Sequence, residues 1–148
     1  MFMDRSRVFV DTSVFVAAIL SSTGGSYYIL SNFKDKVKFQ TSRYVLEEID
    51  HVLDSKFLNQ SGLRNKLFLL LSVADIAILQ NPSRYLLNAL SEVISNKDSP
   101  ILAGALKDSD ILLTLDNEFF GKKITELARK KNLNILKPKD FIELLKQE

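Results

Sequence analysis

Cysteine is absent from the 148 residues, which excludes disulfides, thiolate metal sites and cysteine catalysis. Histidine occurs once, at His51, so imidazole clusters are excluded as well. No apolar run is long enough to span a bilayer, and no membrane partner is expected. The opening Met1-Phe2-Met3-Asp4-Arg5 carries charge where a secretory signal would need an apolar stretch. Repeats, linkers and low-complexity segments are also missing. These absences point to a cytoplasmic protein with a single domain over residues 1–148, long enough to bury a sizeable core.

Net charge is scarce too. The formal value of +2 does not by itself indicate a nucleic-acid partner. The basic residues are nevertheless grouped, as Lys34, Lys36 and Lys38, as Lys122 and Lys123, and as Arg129, Lys130 and Lys131. Such groups suit a phosphate backbone. They equally suit solvated faces and helix C-termini, where lysine complements the dipole.

What the chain does have is apolar strands ending on acids. Arg7-Val8-Phe9-Val10 runs into Asp11, and Ile111-Leu112-Leu113-Thr114-Leu115 runs into Asp116. Stretches apolar on both faces suit strands buried in a parallel sheet. Between them the pattern alternates. Helices are expected over 13–20 and 26–33, from a cap at Thr41 or Ser42 through about Leu53, over 63–72, from an opening at Asn81-Pro82-Ser83, from an entry at Ser95-Asn96-Lys97-Asp98-Ser99-Pro100 to about Lys107, and over 119–131 and 139–146. Further strands are expected over 37–41, 75–79 and 133–136. Strands alternating with helices imply right-handed crossovers and a three-layer α/β/α sandwich with a central, mainly parallel sheet of about five strands.

Four acids fall on one edge of such a sheet. Asp11 and Asp116 follow their strands, at the carboxyl ends where open α/β sheets bind ligands. Asp98 stands at the entrance of a helix whose apolar stripe is Ile101, Leu102, Ala105 and Leu106, and it shares that face. Glu48 borders the stripe Val45, Leu46, Ile49, Val52 and Leu53, whereas Glu47 and His51 point away. His51 is therefore a poor general base. Each acid taken alone has a plainer reading: a helix cap for Asp11 and Asp98, a turn residue for Asp116, a surface glutamate for Glu48. Together they call for a cation, because carboxylates a few ångströms apart raise one another's pKa.

An all-oxygen donor set favours Mg2+ or Mn2+ over zinc. Such an ion lowers the pKa of a water and holds a phosphate oxygen for in-line attack, the chemistry of phosphodiester hydrolysis. Thr12, Ser13 and Thr114 carry hydroxyls beside the acids and suit the task of orienting carboxylates. Capping and strand preference are the competing readings for these three.

The order and spacing of these segments resemble the PIN-domain nucleases, among them the toxin components of prokaryotic toxin–antitoxin systems. The resemblance spans nearly the whole chain. It rests on Val8-Phe9-Val10-Asp11-Thr12-Ser13-Val14, on Glu48-Ile49-Asp50-His51-Val52-Leu53, on Asp98, and on Asp110-Ile111-Leu112-Leu113-Thr114-Leu115-Asp116. It implies that Asp11, Glu48, Asp98 and Asp116 form an acidic quartet holding one or two Mg2+ or Mn2+ ions. It further implies cleavage of single-stranded RNA to a 5′-phosphate and a 3′-hydroxyl, a protein antitoxin as partner, and a homodimer or higher homo-oligomer. One departure stands out. Relatives often carry a further aspartate after the last of these strands, and here the nearby acid is Glu118, either a longer-armed metal ligand or the mark of an altered site. Asp110 matches a frequent family aspartate but precedes its strand, which suits capping or turn duty.

The alternative from a different class is a catalytically silent PIN-like module that binds RNA or a protein partner. Two other α/β readings fail on spacing. A haloacid-dehalogenase-type phosphatase needs an aspartate where Ser13 stands, and a receiver domain needs an acidic pair in its first loop.

Overall fold

The computed structural model describes residues 5–147; Met1 to Asp4, most of the charged opening discussed above, and Glu148 lie outside the described residues. In chain order the elements are β1 (Ser6–Val10), α1 (Thr12–Leu20), α2 (Gly25–Asn32), β2 (Val37–Ser42), α3 (Arg43–Lys56), α4 (Gly62–Val73) and β3 (Ala77–Leu79). There follow α5 (Arg84–Ala89), α6 (Ser99–Asp108), β4 (Ile111–Leu113), a 3-10 turn (Asn117–Phe120), α7 (Lys122–Lys130), β5 (Asn134–Leu136) and α8 (Pro138–Lys146).

The five strands form one sheet in the order β3-β2-β1-β4-β5, and every neighbouring pair is parallel. Right-handed crossovers then send the helices leaving β1 and β2 to one face and those leaving β3 and β4 to the other. The result is the expected α/β/α sandwich. Val8, Phe9 and Val10 of β1 and Leu112 and Leu113 of β4 are fully buried. A phenylalanine such as Phe9 contributes roughly 1.5–3 kcal/mol by leaving water.

One glycine sets how closely the layers meet. A Cβ on Gly104 of α6 would come within 3.0 Å of the Phe9 ring. Its absence lets α6 lie close on the central strand, and the start of α6 thereby reaches the carboxyl end of β1.

Three elements depart from the sequence pattern. The segment 75–79 was expected as a buried strand, but only Ala77–Leu79 pairs, and it does so at the sheet edge, where Ile78 is 48% exposed. Asp75 takes a left-handed turn with φ of 53° just before it, so the first residues of the run are spent on the turn. The strand expected to reach Asp116 ends at Leu113. Thr114 still donates its N–H to Leu136, after which the chain bends away. Finally, the helix expected over 119–131 is divided. The Asp116 carboxylate accepts the Glu118 N–H and winds Asn117–Phe120 into a 3-10 turn, and Gly121 is extended (ψ 154°) before α7 begins. Among the described residues, no single helix is long and apolar enough to cross a membrane.

Candidate metal centre

The order β3-β2-β1-β4-β5 reverses direction between β1 and β4, so the crevice outside their carboxyl ends is where a parallel sheet of this kind binds ligands. Asp11 directly follows β1, and Asp116 lies past the end of β4. Asp98 precedes α6, and Glu48 projects from α3. All four line a single cavity of about 460 Å³, together with Thr12, Ser13 and two lysines, Lys56 and Lys97.

Asp11 is the most deeply held of the acids, at 3% exposure. It stands at the head of α1 yet makes no side-chain cap. Its Oδ2 instead accepts the hydroxyls of Ser13 (2.8 Å) and Thr114 (2.6 Å). Burial raises its pKa above the ordinary carboxylate value. The bonds from Thr114, Ser13 and the Thr12 backbone oppose the rise, and the charge of Glu48 adds to it. The hydroxyls are themselves fixed: Thr114 Oγ1 accepts the Asp116 N–H at 3.0 Å, and Ser13 Oγ accepts the Leu115 N–H at 3.0 Å. One threonine thus ties the end of β1 to the bend after β4. Thr12 donates its hydroxyl to Glu48 Oε1 and turns that carboxylate inward. Glu47 and His51 on the same helix are exposed, as their angular positions require.

A tighter group sits beside this network. Asp98, Asp116 and Glu118 each offer a carboxylate oxygen within 4.8 Å of the others. Asp98 makes no cap for α6. Its pKa is pushed up to about 7, first by burial, then by a hydrogen bond with Glu118, then by the charges of Asp116, Glu118 and Asp11. Glu118 is held below its ordinary value, chiefly by the Ser95 N–H, which it accepts at 3.0 Å, and then by its bond to Asp98. Without a metal, Asp98 therefore tends to keep the proton below about pH 7 while Glu118 carries the charge. Asp11 and Glu48 stand outside the triad but line the same cavity as Asp98 and Asp116. Among the described residues, none of these five acids forms an ion pair with a lysine or arginine; the ion pairs of Arg64 with Asp50 and Asp54 are elsewhere on the surface.

Three contributors escaped the sequence reading. Tyr44, one helical turn before Glu48, donates its hydroxyl to the Lys97 carbonyl at 2.8 Å. Its hydroxyl pKa is raised by burial and then by the charges of Glu48 and Asp98. Ser95 holds Glu118 through its N–H, and Lys97 lines the cavity itself. The i, i+4 spacing of Tyr44 and Glu48 was the available signal for the first. The other two depend on a loop meeting the 3-10 turn, which no local pattern encodes.

The donor set fits a hard divalent cation. The triad supplies only carboxylate oxygens, close enough for a shared ligand, and its protonated member is the response of crowded acids to a missing positive charge.

The fold and this edge together define the class, an α/β sandwich with a PIN-like fold. Solved structures with the same fold include VapBC2 from Rickettsia felis bound to a DNA fragment from their promoter. That structure superposes with a TM-score of 0.66 at 23% identity, over 88% of this chain and 98% of its own. PAE2754 from Pyrobaculum aerophilum superposes with a TM-score of 0.67 at 17% identity, over 97% of this chain and 91% of its own. No family model and no curated protein sequence matches the chain. At these identities the likeness establishes the fold alone.

Proposed function

We propose that the protein is a Mg2+- or Mn2+-dependent endoribonuclease that hydrolyses phosphodiester bonds in single-stranded RNA, acting in the cytoplasm as the toxin of a toxin–antitoxin pair. The observation that carries this reading is the set of five acids at the switch point of the sheet, none of them in an ion pair among the described residues. Isolated buried carboxylates cost stability. A centre built from several of them is explained by a cation they share.

In this reading Asp98, Asp116 and Glu118 hold the ion, with Asp11 and Glu48 completing the acidic lining. A bound divalent ion supplies charge neutralisation at the phosphate and activation of water for hydrolysis. The rest is done by the chain. Ser13 and Thr114 fix the Asp11 carboxylate in one rotamer, and Thr12 does the same for Glu48. Tyr44 and Ser95 pin the loop that carries Lys97 and Asp98. Lys97 and Lys56 provide positive charge at the cavity wall for a phosphate backbone. The likeness to VapBC2, a structure that contains promoter DNA, supports a protein antitoxin as partner, and the resemblance of the motifs supports a homodimer or higher homo-oligomer.

The test is cleavage of single-stranded RNA by the wild type and by Asp11→Asn, each with chelator and then with manganese. Manganese-dependent cleavage lost in Asp11→Asn is the expected result. Cleavage by the variant at the wild-type rate would overturn the assignment of the acids. A folded wild type that takes up manganese and RNA but leaves the RNA intact would favour the catalytically silent module instead.

A further inference from the structure

A second cavity, of about 510 Å³, opens between the start of α2 and the outer face of α8. It meets the acidic cavity at Ala17, which lines both, and it includes Leu115, the neighbour of Asp116. Its floor is Gly24-Gly25-Ser26, the first turn of an eight-residue helix. The Gly24 position makes no side-chain cap, so the first N–H groups of α2 face outward with the positive end of the helix dipole. Two glycines in succession add no side chain of their own there; a Cβ on Gly25 would already touch Ile142 (3.5 Å) and Pro138 (3.7 Å) across the cleft.

Ser26 supplies an independent sign of a ligand. It is 5% exposed and lines the cavity, yet among the described residues its hydroxyl has no hydrogen-bond partner. Among the described residues, no side-chain oxygen that is wholly buried lacks a partner. The Ser26 hydroxyl therefore keeps its opening on the cavity side, where it can donate outward. Lys139 and Lys146 stand on the opposite wall with one acid, Glu143. Lone N–H groups, a free hydroxyl and a net positive rim are the donor set of a phosphate site.

We propose that this cleft seats a phosphate of the nucleic-acid strand on which the acidic centre acts, one or more nucleotides from the bond at that centre. The assignment of the strand rests on the nuclease reading above; the phosphate chemistry of the cleft does not. Lysine side chains supply the charge, the start of α2 supplies directional donors, and the seat reads no base.

The experiment is an amide NMR titration of the full chain in chelator, first with inorganic phosphate and then with a short single-stranded RNA as competitor. Saturable shifts at Gly25, Ser26 and Tyr27 are expected with phosphate, together with their loss in Lys139→Gln/Lys146→Gln. Ser26→Ala should weaken the response without unfolding, because it removes no internal hydrogen bond. The RNA should displace the phosphate. No saturable shift at these amides would overturn the site, as would shifts of equal size at every lysine cluster, the signature of an adventitious ion only. Phosphate binding that RNA does not displace would overturn the strand assignment and leave a site for free phosphate. Because cleavage plays no part in the readout, loss of the shifts with RNA cleavage intact sinks the seat alone. Intact shifts with no cleavage sink the nuclease reading alone.

Discussion

The two ends of β4 carry the same residue type to opposite fates. At its start, Asp110 accepts the Arg7 N–H at 2.8 Å and returns its own N–H to the Arg7 carbonyl at 2.9 Å. Nearby, the Gln40 amide donates to the Asp108 carbonyl and the Ser109 hydroxyl. Polar groups at that end are matched one to one and serve only to fasten β1 to β4 and α6 to β2. Past the other end, Asp116 enters a cavity with three more acids and makes a triad with one of them, Asp98, and with Glu118. Its neighbours are oriented by hydroxyls, which fix a carboxylate without neutralising it. A fold stabilises itself with balanced pairs; an excess of one sign, held in place at the switch point, is the feature that calls for a ligand.

The sharpest way to break this contrast is at Thr114, which is fully buried and bridges Asp11 and the Asp116 backbone. Thr114→Val leaves both partners short of a hydrogen bond at nearly constant shape. It is expected to cost about 2 kcal/mol in urea unfolding and to reduce RNA cleavage sharply. Unchanged stability would mean that the bridge is dispensable.

Next in size is the response to pH. In the folded, metal-free protein Asp98 keeps its proton up to about 7, against an ordinary value of 3.8. Between those limits the folded state binds the extra proton, so stability is fullest below the lower value and is lost as pH rises through the upper one. Asp11, also raised, acts in the same direction. In chelator, the unfolding temperature should fall between about pH 4 and pH 7. Manganese, which binds the ionised form, should shrink or reverse that slope. A chelated protein that gains stability over the same range would contradict the buried, crowded state of the acids.

The smallest effect is expected at the balanced end. Asp110→Ala exposes one N–H that water can satisfy, at a cost below about 1 kcal/mol, and leaves cleavage unchanged. A large loss of cleavage would show that the two ends are not independent.

Much of the architecture was legible because its signals are local. Apolar runs such as Val8-Phe9-Val10 announce central strands, and the angular position of Glu48 on α3 separates it from Glu47. Elements set by tertiary context were less so. The run 75–79 reads as a buried strand, but its place at the edge follows from the order of the whole sheet. Residues 119–131 read as one helix because nothing local reports that the Asp116 carboxylate captures the Glu118 N–H. That capture also decides the composition of the acidic group: it swings Glu118 toward Ser95 and Asp98, which lie far from it in the sequence. Tyr44 carried a usable signal in its spacing to Glu48, whereas its bond to the Lys97 carbonyl belongs to a loop that pattern does not reach.

The most direct measurement is thermal unfolding of the wild type and Asp11→Asn, in chelator and then in manganese. An ion that binds only the folded state, at about 100 times its dissociation constant, adds about 2.7 kcal/mol. The account predicts a manganese-dependent rise in the wild type that Asp11→Asn loses, with the chelated variant at least as stable as the chelated wild type because one repelling charge is gone. No rise in the wild type would contradict the assignment of this edge as a metal centre, and an equal rise in both proteins would contradict a part for Asp11 in it and confine the ion to Asp98, Asp116 and Glu118.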